Sequence, residues 1–106
     1  MNESVGESVP QEVEIAESVL YQFLEDEIVL LNLANQCYYG LDDVGGRMWE
    51  LLIEEHAVSK VAERLQSEFD VAPENLRADL NQLVRELVSA GLLKASQRDT
   101  VVGLNK

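Results

Sequence analysis

The hydrophobic period of this chain changes once, at Leu41–Asp43, and that change limits the possible folds more than any other feature. Before it lie three short apolar runs: VLYQFL (19–24), IVLLNL (28–33) and CYYGL (37–41). They are rich in β-branched and aromatic residues, and the first alternates Val19, Tyr21 and Phe23 against Leu20, Gln22 and Leu24. Such runs suit strands, whose side chains point to opposite faces in turn. Only three residues separate each pair, Glu25-Asp26-Glu27 and Ala34-Asn35-Gln36. Connections this short join antiparallel neighbours, so the runs predict a three-stranded meander. Asn35 suits a left-handed position in the second turn.

After Leu41 the spacing becomes helical. Asp42 and Asp43 suit the cap and the positive N-terminal end of a first helix over 43–55. Val44, Met48, Leu51, Leu52 and Glu55 share a face of it, with Trp49 and Ile53 flanking. His56-Ala57 breaks it. Val58, Val61, Ala62, Leu65 and Phe69 form the apolar stripe of a second helix over 58–69. Pro73 fits the first position of a third helix over 73–90, which is expected to bury Leu76, Leu80, Leu83, Val84, Leu87 and Val88. Gly91 suits a left-handed cap at its end. The predicted class is α+β and winged helix-turn-helix-like, a three-stranded antiparallel sheet followed by three helices. Gly45-Gly46 falls in the first turn of helix one. Glycine inside a helix costs about 1 kcal/mol against alanine, so close approach of backbone to the strand or to helix three is the expected reason. Residues 1–18 read as a flexible acidic arm, 19–93 as the folded domain and 94–106 as a flexible tail.

A length of 106 residues allows one small domain, and 46% apolar content suits a globular one. There is no run of 18 apolar residues to span a membrane, and MNESVGESVPQEVEI lacks the features of a secretory signal. Cys37 and His56 are the only Cys and His, which leaves too few soft ligands for a structural metal. A cytoplasmic protein without metal or cofactor is expected. The eight acids in residues 1–41 stand against no Lys or Arg, and the whole chain carries −12. Nucleic-acid binders cluster cations instead. The acids fit either plain solubility or a neutral to basic peptide partner.

Catalytic patterns are missing. His56 has no nucleophile partner in a motif, Cys37 sits in an apolar strand, and Gly45-Gly46 lacks the spacing and the Lys-Ser/Thr of a phosphate loop. The reading is a binding module, not an enzyme. An exposed edge at residues 36–41 could take an extended peptide as a further strand. Helix three could wall the groove beside it, because Asp79, Gln82 and Glu86 share a stripe bordered by Leu76, Leu80 and Leu83.

The run LLNLANQCYYGLDDVGGRMWELL, followed by VSKVAERLQSEFDVAPENLRADLNQLVRELVSAGLL, resembles the PqqD-like family, also called the RiPP recognition element. The resemblance covers about residues 19–93. It implies a small winged-helix-like subunit that binds the leader of a ribosomally made precursor peptide. The leader would add to the third strand and lie against the third helix. Carried over by element, the strand contributes Gln36, Cys37, Tyr38 and Tyr39, and the helix contributes Leu76, Asp79, Leu80, Leu83 and Glu86. The implied partners are the precursor and a radical-SAM enzyme or a leader peptidase and cyclase. The chain would be a monomer or a strand-exchanged dimer. The alternative is a winged-helix DNA-binding regulator, which the net charge of −1 on residues 73–90 argues against.

Overall fold

A computed structural model describes residues 9–96. The strands are β1 (Val13–Ile15), β2 (Val19–Phe23), β3 (Ile28–Asn32), β4 (Cys37–Leu41) and β5 (Leu93–Ala95). The helices α1 (Asp43–Glu55), α2 (Val58–Glu68) and α3 (Pro73–Ser89) lie between β4 and β5. The expected meander forms, antiparallel in the order β2-β3-β4. Leu30 is its centre, opposite Tyr21 on one side and Tyr39 on the other.

Alternation along the strands divides the sheet into two faces. Ile28, Leu30 and Leu41 are buried on the inner face, where α1 packs. The glycine pair has the expected function, and its partner is the strand rather than helix three. A Cβ at Gly46 would come within 3.1 Å of Ile28 Cδ1. Asp42 caps α1 by accepting the Gly45 N–H at 2.9 Å. Trp49, expected to flank the buried face, is at its centre: it is fully buried and meets Tyr21 edge-on at 5.5 Å. Val44, expected inside, is 42% exposed. Leu51, Leu65, Leu80, Val84 and Leu87 complete the core between the helices. Arg47 ties α1 to α2 by donating to both carboxylate oxygens of Glu68, at 2.8 and 2.7 Å.

The ends of the domain differ from expectation. The predicted arm (1–18) contributes β1 and the predicted tail (94–106) contributes part of β5. The two pair antiparallel, Val13 opposite Ala95. Val13 is fully buried, its N–H donates to His56 O at 2.9 Å, and Ser96 N–H donates to Glu12 O at 2.9 Å. Burial of Val13, with Val9 and Ile15 partly buried against the same core, together with backbone pairing holds the segment, so the folded unit is wider than 19–93. His56 acts as a cap: it adopts φ 68°, and its ring Nδ1 lies 3.0 Å from Val13 O. Residues 1–8 of the expected arm and 97–106 of the expected tail lie outside the described residues. In the second turn the left-handed residue is Gln36 (φ 62°) rather than Asn35. Asn35 instead accepts the Cys37 N–H on its Oδ1 at 2.8 Å.

Candidate peptide-binding groove

Strand β4 is an edge of the meander, with β3 on one side and, among the described residues, no strand on the other. An edge presents unpaired N–H and C=O groups along one side. The chain places α3 across from this edge. Two contacts tie the C-terminal end of α3 to the end of β3 and the turn after it: Asn32 Nδ2 donates to Gly91 O at 2.6 Å, and Asn35 Nδ2 to Ala90 O at 3.4 Å. These tie points require the left-handed Gly91 (φ 78°), since a Cβ there would meet Asn32 Nδ2 at 2.9 Å. Midway along, Tyr39 Oη donates to Glu86 Oε1, and Gln82 Nε2 donates to the other carboxylate oxygen at 3.1 Å.

The Tyr39–Glu86 contact divides the space along α3 in two. Toward the start of α1 lies a cavity of about 360 Å³ that includes Val44, Met48, Leu83, Asp79 and Glu86. Toward the end of α3 lies one of about 470 Å³ that includes Tyr39, Arg85, Glu86 and Ser89. The first has an apolar floor and acidic walls. The Glu86 carboxylate accepts the Tyr39 hydroxyl, which pushes the phenol up to about 12 and holds Glu86 below the ordinary carboxylate range.

The residues predicted to form a site divide into two sets. Tyr39, Asp79, Leu83 and Glu86 border these cavities. Cys37 is half-buried and Tyr38 is 67% exposed on β4, while Gln36 is exposed in the turn before it. Leu76 and Leu80 do not reach the groove. They lie in the core at 3% and 1% exposure, and Leu80 borders a separate crevice beneath Val9 and Pro10. Asp79 and Leu83 line the cavity shared with Val44 and Met48 of α1, whereas Leu76, Leu80, Val84 and Leu87 form the buried stripe of α3. The first helix adds Val44 and Met48 to the groove, which the helix-three stripe alone did not reveal. Their i, i+4 spacing on the same side as Asp42 is the signal that would have located them. Among the described residues no group of three or more His, Cys, Asp and Glu is arranged to hold a metal.

The profile of the family described as coenzyme PQQ synthesis protein D (PqqD) matches residues 27–93. The chain belongs to the PqqD family. Two solved structures share the fold of this PqqD-family chain. One is TbiB1 in complex with the TbiA(beta) leader peptide, at 32% identity and TM-score 0.73, covering 78% of this chain and 96% of that one. The other is lasso peptide synthetase B1 complexed with the leader peptide, at 24% identity and TM-score 0.71, covering 78% and 98%. A search of curated proteins gives no match.

Proposed function

We propose that this PqqD-family chain is a non-catalytic subunit that captures the leader of a ribosomally made precursor peptide and presents the rest of that peptide to a separate modifying enzyme. The observation that carries the reading is the outer edge of β4, linked to α3 through Tyr39 and Glu86 with a crevice beside that link, in a fold shared with two chains solved with leader peptides. The leader adds to β4 through main-chain hydrogen bonds, and its inward side chains meet Tyr39, Leu83, Asp79 and Glu86. Main-chain pairing supplies affinity that depends little on sequence, and the cavities supply selection. Once the leader is held, the enzyme meets the core peptide at the high effective concentration of a tethered partner. The enzyme is of the radical-SAM type or a leader peptidase with its cyclase, and the complex works in the cytoplasm. No helix among the described residues is long and apolar enough to cross a membrane.

The DNA-binding alternative is not favoured. The third helix carries Glu74, Asp79 and Glu86 against Arg77 and Arg85, and the β2–β3 turn is Glu25-Asp26-Glu27. Both would repel phosphates.

Titration of the isotopically labelled protein with the leader encoded beside it tests the proposal. Amide shifts are expected in Cys37–Leu41 and on the Asp79–Glu86 side of α3. Saturation that leaves both segments unmoved would sink the strand-addition reading.

A further inference from the structure

The third helix has a second flank that the leader groove does not use. At about 100° per residue, Arg77 and Asn81 fall on the side of the buried stripe opposite to Asp79 and Glu86. On that flank lies a crevice of about 440 Å³, between segment 9–12, the start of α2 and the middle of α3. Val58, Ala62 and Leu80 reach it from the core and give it an apolar floor. Its outer wall is fastened at both ends: Gln11 O accepts the Val58 N–H at 2.9 Å, and Glu12 O accepts the Ser96 N–H at 2.9 Å. A preformed concavity with an apolar floor and a few polar groups is the usual form of a ligand site.

Two observations select what enters it. The first is Arg77. The chain holds 20 acids against 8 Lys and Arg, so a cation without a carboxylate is the exception. Arg47, Arg64 and Lys94 each pair with two glutamates. Arg77 and Lys60 pair with none among the described residues, and of the two only Arg77 borders the crevice. The second is the start of α2, which opens on the crevice through Ala57, Val58 and Ser59. Ala57 supplies no side-chain cap and the first turn holds no acid, so the positive end of the helix is not neutralised by its own residues. Glu12 is the only acid on the lining, and its Oε1 is closed off from solvent. The crevice therefore favours an anion beside an apolar group.

We propose that this crevice binds an acidic peptide segment of a partner protein, with an apolar side chain on the Val58–Leu80 floor and an Asp or Glu carboxylate on Arg77. Its chemistry is the reverse of the leader groove, whose walls are acidic. A leader carrying Lys or Arg and this second peptide do not compete, and α3 holds ligands of opposite charge on its two flanks. The inference goes beyond leader capture and does not depend on it, since crevice and groove share no lining residue.

The probe is a capped hexapeptide of alternating leucine and glutamate, titrated into the isotopically labelled full chain. A leucine–lysine hexapeptide is the control. The expected result is saturable shifts in the amides of Val58, Ser59, Arg77 and Asn81, with Cys37–Leu41 unmoved. Arg77→Glu should weaken binding about tenfold or more, because a charge-assisted hydrogen bond gives way to repulsion. Arg77→Lys keeps the charge and should lose no more than about threefold. Arg77 is exposed, so the fold should survive, as circular dichroism checks. If Arg77→Glu unfolds, Arg77→Gln repeats the test. Equal binding of the lysine peptide, unchanged affinity in Arg77→Glu, or no shift at the four amides at the highest soluble peptide concentration overturns the inference. If Arg77→Glu moves the amides of residues 2–8 with no peptide present, the inference is also overturned and the crevice belongs to the chain's own N-terminal residues.

Discussion

Tyr39 joins the edge strand to the far wall of the groove, and its ionisation reports whether that link is made. Its phenol is raised from 10.0 to about 12, chiefly by the hydrogen bond it donates to Glu86. Glu86 is lowered below its ordinary 4.5 by the same bond. The two shifts set a pH window. The raised phenol favours the fold below pH 10.0, and that contribution is lost as pH climbs toward about 12. The lowered carboxyl favours the fold above pH 4.5, and its contribution fades as pH falls through the lowered value. Both groups are largely solvated, so the effect on stability is small. Glu86→Ala should bring Tyr39 ionisation down from about 12 toward 10.0, read from the pH dependence of its ring resonances. A Tyr39 that still titrates near 12 would mean that the contact is not the cause of the shift.

At the scale of elements, the meander and the three helices were legible because each carries a long, consistent period and punctuation at both ends. The first helix runs Asp43–Glu55 as expected, with its cap at Asp42. The third starts at Pro73 and ends before Gly91. What escaped the sequence was short or depended on rotation. Strands β1 and β5 have three residues each, too few for alternation to be seen, and their pairing spans nearly the whole chain. The side of α3 that meets the groove was half legible. Asp79, Leu83 and Glu86 face it, but Leu76 and Leu80 belong to the apolar stripe, and only packing shows which side of that stripe turns inward. Two substitutions test these elements, both followed by denaturant unfolding with Trp49, the only tryptophan, as reporter. Val13→Ala should cost about 2 kcal/mol, because Val13 is fully buried and its loss leaves a void in the core cluster. An unchanged midpoint would show that β1 contributes nothing to the fold. Gly46→Val should cost about 1–3 kcal/mol by driving branched methyls into Ile28, which already lies at contact distance. Stability at or above wild type would refute the close approach of α1 to β3.

For the molecule as a whole, charge decides the kind of partner. With −12 distributed over a small domain, the groove has acidic walls and the β2–β3 turn carries Glu25, Asp26 and Glu27. A leader carrying Lys or Arg is drawn to such a surface, and the attraction is screened by salt. Asp79→Lys should weaken such a leader several-fold at low ionic strength and much less at high salt. Stability should change by no more than about 0.5 kcal/mol, since Asp79 is exposed on a helix surface. Equal affinities for wild type and variant at low salt would remove Asp79 from the contact surface.

The pairing of β1 with β5 also bears on how the domain can be wired into larger proteins. Ser96 hydrogen-bonds to Glu12, so the two ends of the described segment lie side by side. A domain with adjacent entry and exit behaves as a cassette: it can be spliced into a surface loop of another protein without stretching the host backbone. The β4 edge belongs to the other sheet and takes no part in that junction. Grafted in this way, peptide capture could be installed directly on an enzyme, which turns a two-protein encounter into an intramolecular one.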